Sequence, residues 1–418
     1  MPKLIYLGLY RNKLIGQIPS SICNLRSLQV LQLSNNHLEG PIPKCVGNLS
    51  TSLNVLHLNA NKLSGLIPST FRKNCSIESI NLNGNKLKGT LPQTIANCQG
   101  LRGIDIGGNE IRGAFPFWME TLPQLRTFIL SSNKFNGTML VTSNTEQPFP
   151  KLQVLDVSQN AFVGPLPDRY FKNFRGMINA TENQIDEEAA YWFLIFMELK
   201  LTLKGLDQLL GRLLTTFTTI DLSSNRFSGS IPPSLGDLNS LRYLNLSHNT
   251  LIGHIPPSLG DMRLLESLDL SSNKLDGEIP NELARLTFIG KLNLSMNNLE
   301  GKIPQSTQLS TFGNESYVGN VGLCGFPLTR KCAGSDGKPF IPKGGEEDDD
   351  DEYGFIDGFG WRNVVLGYGC GFVVGIGIGY MVIRSGRPRW LVEFFFGVGY
   401  KYKTKKRRNR AAPTRRGT

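Results

Sequence analysis

The chain has 418 residues, with 45 Lys and Arg against 34 Asp and Glu, a formal net charge of +11. Twelve basic residues and one acid, Glu393, follow residue 383, so the rest of the chain is balanced and has no global basic bias toward nucleic acid. Glycine is abundant at 45 residues but does not recur every third position, which excludes collagen, and seven cysteines are too few for a small disulfide scaffold.

The first residues, MPKLIYLGLYRNKL, show no basic n-region leading into an apolar h-region, so no signal peptide is expected here. One unit then repeats, LxxLxLxxNxLxGxIP. It reads Leu28, Leu31, Leu33, Asn36, Leu38, Gly40, Ile42, Pro43, and again Leu265, Leu268, Leu270, Asn273, Leu275, Gly277, Ile279, Pro280. The landmark asparagines are Asn12, Asn36, Asn61, Asn85, Asn109, Asn133, Asn160, Asn225, Asn249, Asn273 and Asn297. Successive landmarks are 24 to 27 residues apart, except for a gap of 65 after Asn160. The LxL alternation predicts a short strand with both leucines inward. Asn turns the chain, and its amide is expected to satisfy backbone groups of neighbouring coils. Gly allows a tight backbone, and Pro blocks a helix. One coil cannot bury its own apolar face, so the coils must stack into an α/β-type solenoid with a concave parallel β-sheet. Seven units fill 1–169 and four fill 217–304.

The outward positions of the first six units include Tyr6, Tyr10, Arg11, Gln32, His57, Glu78, Arg102, Asp105, Arg126 and Ile129. They change chemistry from coil to coil, as a ligand-reading surface does. In the last four units the positions are more uniform, with Asp221, Asn245, Asp269 and Asn293 each followed by Leu-Ser, which reads as scaffold. Cys23, Cys45, Cys75 and Cys98 lie within repeats and read as small packing residues without assigned partners.

The long gap holds a non-repeat island, 170–216, containing AYWFLIFMELKLTLKGLDQLL. Its Tyr191, Trp192, Phe193 and Phe196 either pack the island onto the solenoid or anchor a partner. The GxIP extension, the island and the four units after it resemble the plant leucine-rich-repeat receptor-like proteins. The resemblance covers nearly the whole chain. It implies a right-handed leucine-rich-repeat superhelix and a co-receptor kinase contact at the last four repeats. Residues 305–332, with Cys324 and Cys332, look like that family's C-terminal cap, for which a Cys324–Cys332 disulfide is expected.

An acidic segment, 333–363, contains EEDDDDE at 346–352. Residues 364–383 are twenty uncharged residues, enough for one transmembrane α-helix. The basic tail, 384–418, includes Arg384, Arg387, Arg389 and KKRRNR at 405–410, so the positive-inside rule puts it in the cytoplasm and the repeats outside. Such a tail also suits anionic lipid. Gly367, Gly371, Gly375 and Gly379 share one helical face, which favours close pairing with another helix. The resemblance makes that helix a receptor-kinase adaptor's. Sequons at Asn48, Asn74, Asn136, Asn179, Asn245, Asn293 and Asn314 suit a secreted glycoprotein, and the strands place Asn245 and Asn293 on the concave surface.

No catalytic or metal-binding motif is present. The four histidines, His37, His57, His248 and His254, stand at solvent positions of separate coils, and 35 residues after the span are too few for a kinase. No enzyme activity and no cofactor are expected. The reading is a single-pass type I plasma-membrane receptor for an extracellular elicitor or peptide, signalling through a kinase in plant defence. Alternatives are a developmental peptide receptor, a secreted inhibitor of a polysaccharide-degrading enzyme, which the span disfavours, and a non-functional fragment. The first coil, from Leu4, has no cysteine cap, so its core edge is expected to be bare and the chain to be a fragment or truncated version of a longer receptor.

Overall fold

The computed structural model describes residues 3–139, 145–178, 199–210 and 216–332. The chain divides into two units, Met1–Gly337 and Lys338–Thr418, and every described residue lies in the first.

We number the coils 1 to 11 by their landmark asparagines. Each coil contributes its LxL segment to an eleven-stranded sheet, running from Tyr6–Gly8 through Thr127–Ile129, Val154–Asp156 and Thr219–Asp221 to Lys291–Asn293. Neighbouring strands are parallel and in step, as in Leu244 beside Leu268. The middle residue of each strand points into the core and the first and third point out, which is the period-two rule acting on three residues.

A second sheet of twelve parallel strands was not expected from the repeat. It is built from the NxLxG segments, from Ile15–Gln17 to Asn298–Lys302, and is completed by Gly322–Cys324. In His37–Pro41 only Leu38 is buried, so this strand has one buried side chain to anchor it. Proline then ends the strand: Pro19, Pro43, Pro92, Pro232, Pro256 and Pro280 each stand just before a short 3-10 segment. Proline lacks the N–H a strand ladder needs, and its φ suits the start of a helical turn.

The asparagines hold the stack together as the repeat predicts. Asn249 Nδ2 donates to Leu222 O at 3.1 Å in the preceding coil and to Leu246 O and Ser247 O at 3.1 and 3.2 Å in its own. Its Oδ1 accepts Phe227 N–H of the preceding coil at 2.9 Å. An amide has two N–H bonds, so three carbonyls share two donors in bifurcated contacts. The residue before each landmark is left-handed, with φ of +54° at His248 and +53° at Ser272. That conformation costs roughly 1–2 kcal/mol in an L-residue, and the amide contacts offset it. Asn320 continues the ladder beyond coil 11, donating to Leu294 O at 3.0 Å and Tyr317 O at 2.8 Å. Tyr317 takes the place of a repeat leucine there, which hid the extra turn from the pattern.

The core is a continuous run of leucine and isoleucine, enlarged at coils 5 to 8 by aromatics. Phe149 and Tyr170 meet edge to face at 5.3 Å, and Phe115 lies 5.9 Å from Tyr170. Two short helices, Asp168–Phe171 and Arg175–Ile178, bury Tyr170, Phe171 and Met177 in this core, with Phe174 buried between them. At the other end Tyr6–Gly8 and Ile15–Gln17 are edge strands of the two sheets among the described residues, and Ile15 is 80% exposed.

The cysteines within repeats need correcting. Cys23 is bonded to Cys45 and Cys75 to Cys98, across sequence separations of 22 and 23. One turn of the solenoid returns the chain to the next coil after about that many residues, bringing the Cα atoms to 5.9 and 4.5 Å. A third disulfide joins Cys324 to Cys332 in the cap.

Two outcomes follow for stability. Asn249→Ala orphans carbonyls of Leu222 and Leu246 and the Phe227 N–H in a dry interior, and should cost about 2–4 kcal/mol in urea unfolding followed by circular dichroism. Peptide mapping without reductant should recover Cys23 with Cys45 and Cys75 with Cys98. Replacing the second pair by serine should cost about 3 kcal/mol on the chain-entropy account.

Candidate ligand-binding surface

The outer face of the eleven-stranded sheet is the surface on which the sequence placed recognition. Tyr6 and Tyr10 are exposed there, at 43% and 46%. Arg11 is exposed too, but it occupies the left-handed turn before Asn12 rather than a strand position. Glu78 and Arg102 stand just before their strands and form an ion pair at 3.3 Å. Arg126, one coil further on, donates to Gln153 at 3.1 Å, and burial followed by the nearby Arg102 charge lowers its pKa.

Four expected surface positions are buried instead. Gln32 accepts a hydrogen bond from the Tyr6 hydroxyl at 3.2 Å. His57, 1% exposed, meets Ser79 Oγ through Nε2 at 2.8 Å, so it is not a solvent histidine; His37, His248 and His254 are exposed. Asp105 is equally buried, its Oδ1 taken by Asn83 and the Gly107 N–H while Oδ2 has no hydrogen-bond partner. Burial pushes its carboxyl up to about 7, against those hydrogen bonds. Ile129 is wholly buried. Strands in a parallel sheet stand about 4.8 Å apart, so short side chains in one row already shield each other.

Ile129 is covered by a feature the sequence reading passed over. Leu199–Leu203 and Leu206–Leu210 form an antiparallel hairpin, closed by Lys204 and Gly205 at φ +54° and +78°. Two positive φ values mark the tight turn whose twist suits a hairpin. Leu201 and Leu203 pack with Ile129, Val154 and Phe217, and Tyr243 closes the side, making a second small core outside the solenoid. The hairpin tip is held by charge. Lys204 reaches Glu266 at 3.3 Å and lies 5.8 Å from the centre of the Tyr243 ring. Glu266 also takes Arg242 at 2.7 Å and the Tyr243 hydroxyl at 2.9 Å. Burial alone would raise the Glu266 pKa, but Arg242, Tyr243 and Lys204 together hold it below the ordinary range. The Tyr243 phenol is pushed up to about 12, first by burial and then by Glu266. The signal in the sequence was LKLTL-KG-LDQLL, an alternating apolar strand before a Lys-Gly turn and a second leucine-rich segment after it.

Other expected residues fall elsewhere. Asn48, Asn74, Asn136 and Asn314 are exposed, away from the row of third strand residues. Asn245 and Asn293 are in that row but half-buried, donating to Asp221 and Asp269 at 3.1 and 3.2 Å. Tyr191, Trp192, Phe193, Phe196, Asn179 and the glycines Gly367, Gly371, Gly375 and Gly379 lie outside the described residues, as does the span itself. Among the described residues no helix is long and apolar enough to cross a membrane, and no His, Cys, Asp or Glu group is placed to hold a metal.

Leucine-rich-repeat profiles match residues 51–111 and 77–135, and also 3–25, 27–49, 216–238, 240–262 and 264–286. From Arabidopsis thaliana, Receptor-like protein 7 is 53% identical over 94% of this chain and 41% of its own length. Receptor-like protein 53, from the same plant, is 42% identical over 94% of this chain and 40% of its own. The chain belongs to the plant leucine-rich-repeat receptor-like proteins. It spans less than half the length of these curated receptor-like proteins. Among solved structures, the Arabidopsis receptor kinase HAESA, in complex with the peptide hormone IDA and the co-receptor SERK1, superposes with a TM-score of 0.56. It is 31% identical and covers 78% of this chain and 52% of that one. The plant peptide hormone receptor RGFR1 bound to RGF2 gives 0.51 at 28% identity, covering 73% of this chain and 49% of that one.

In plant cells expressing the chain behind a supplied signal peptide, the geometry separates the sequons. Mass spectrometry should find glycans at Asn48 and Asn136, whose side chains are free in solvent. Asn245 and Asn293 should be unmodified in the folded protein, because a sugar on the half-buried Nδ2 would crowd the carboxylate that accepts from it and the neighbouring strand. Full occupancy at Asn245 would contradict this placement of the row.

Proposed function

We propose that this chain is the ligand-reading and membrane-coupling portion of a plant cell-surface receptor, with the repeats outside the cell. It binds an extracellular peptide or protein elicitor on the outer face of the eleven-stranded sheet and signals in defence through an associated receptor kinase. The observation that carries this reading is that face itself. It is a long parallel sheet whose outward side chains run from the exposed Tyr6 and Tyr10 through the Glu78–Arg102 pair to the hairpin clasp at Glu266. Solved relatives of this architecture hold peptide hormones and a co-receptor, which supports a peptide ligand and a second receptor contact at the last four repeats. The acidic and basic flanks of 364–383 support a type I span with the tail inside. The glycine face of that span supports lateral pairing with the kinase.

The coupling step is tested in the span. Gly371→Leu with Gly375→Leu adds a side chain where a partner backbone would pass, while staying as compatible with lipid as before. In plant cells expressing the chain behind a supplied signal peptide, the double substitution should preserve surface level and lower co-purification of receptor kinase several-fold. Gly369→Leu, about 160° around the helix from Gly371, should cost less. Unchanged kinase association at equal expression would overturn the pairing face.

A further inference from the structure

The third residues of the LxL strands form a row across the sheet. In the last four coils this row alternates acid and amide: Asp221, Asn245, Asp269 and Asn293 are successive register partners. Each Asn donates to the Asp before it, at 3.1 and 3.2 Å. One step breaks the alternation. Asp156 and Asp221 are direct partners on neighbouring strands, both buried, at 6% and 7% exposure. The step falls between coils 7 and 8, where the chain leaves for the island. Two carboxylates on strands about 4.8 Å apart repel strongly when water is excluded.

Their hydrogen bonds assign different roles. Asp221 accepts on both oxygens, from the Ser223 N–H at 2.9 Å and from Asn245, and the Ser223 hydroxyl is a further partner. Asp156 Oδ1 accepts the Ser158 N–H and hydroxyl at 2.9 and 2.6 Å, and the Ser131 hydroxyl is a further partner. Hydroxyls can turn to accept, and Asp156 has two such partners against one for Asp221, so Asp156 is the member better placed to carry a proton. Burial raises the Asp156 pKa, and burial followed by the Asp156 charge raises that of Asp221.

The surrounding charges are engaged elsewhere. Arg126, before the Thr127–Ile129 strand, donates to Gln153. Arg242 and Lys204 pair with Glu266, which also receives the Tyr243 hydroxyl. Asp105 and Asp269, two strands away on either side, add negative charge.

The hairpin straddles the same junction. Leu201 and Leu203 rest on Ile129 and Val154 on one side and on Phe217 and Tyr243 on the other. Val154 shares a strand and a face with Asp156.

We propose that the Asp156–Asp221 step is a proton-operated joint. With one carboxyl protonated, coils 7 and 8 close and the hairpin stays seated; with both ionised, the junction loosens and the hairpin lifts from the sheet. The sign follows from linkage. A carboxyl whose pKa is raised on folding binds its proton more tightly in the folded state, so its contribution is most favourable below the ordinary carboxylate pKa and is lost as pH rises toward the folded value.

The test is hydrogen exchange of residues 199–210 in the full chain at about pH 5 and about pH 8, corrected for intrinsic rates. Protection should fall about tenfold at the higher pH, the equivalent of one pKa unit. Asp156→Asn keeps the shape without the charge and should hold protection high at both values. Asp269→Asn, flanked by amides, should behave like the native chain. Equal protection at both pH values in the native chain, or an Asp156→Asn chain as pH-sensitive as the native one, would overturn the joint. If Asp156→Asn fails to fold by circular dichroism, Asp221→Asn removes the same repulsion and is read the same way. No ligand or kinase is involved, so this outcome is independent of the proposed function.

Discussion

The buried asparagine amide is the interaction on which this architecture depends. Every coil must turn sharply between its two strands, and the residue before each landmark pays for that turn with a left-handed backbone. The turn also leaves carbonyls facing a dry core, where unpaired polar groups are expensive. One Asn side chain answers both problems, because it donates within its coil and to the coil before, while accepting a backbone N–H from that same neighbour. Each coil is thereby completed only by contact with the next, and the stack behaves as a chain of nearest-neighbour dependencies.

That dependence explains where the structure tolerates irregularity. The island interrupts the sequence between Asn160 and Asn225, yet the ladder crosses the gap: Asn225 donates to Val157 O at 3.0 Å, and Phe162 N–H donates to Asn225 Oδ1 at 3.1 Å. Coils 7 and 8 are therefore joined by the same asparagine contacts as the other pairs. The island's hairpin returns to the face of the sheet, where apolar side chains and the Glu266 cluster fasten it. The face on which recognition is proposed is consequently not uniform. It is open tyrosine at coil 1, paired charge at coils 4 and 5, and covered from coil 6 to coil 9.

The candidate surface was only partly legible. Outward positions can be read from a period of two, but exposure cannot. His57, Asp105 and Ile129 all obey the outward rule and are all buried, through strand spacing in the row and, for Ile129, through Leu201 and Leu203. Glu266 carried no mark in the sequence, because its partners Lys204, Arg242 and Tyr243 come from the hairpin and from the preceding coil. The two disulfides within the repeats were missed for a related reason: a separation of 22 or 23 residues means nothing until the length of one solenoid turn makes those residues neighbours.

The sequence by itself determined the repeat, the inward leucines, the asparagine ladder and the place of the interruption, because each is a local rule applied again at a fixed period. Tertiary structure alone decided which cysteines within the repeats bond, that the NxLxG segments form a second sheet, and that a hairpin from the island covers the first. It also decided that Asp156 faces Asp221, residues 65 positions apart in the chain and one strand apart in the sheet. The physical reason is common to all four. Stacking converts a period in sequence into a contact in space, and the energetics of burial, repulsion and pairing act only on the contact.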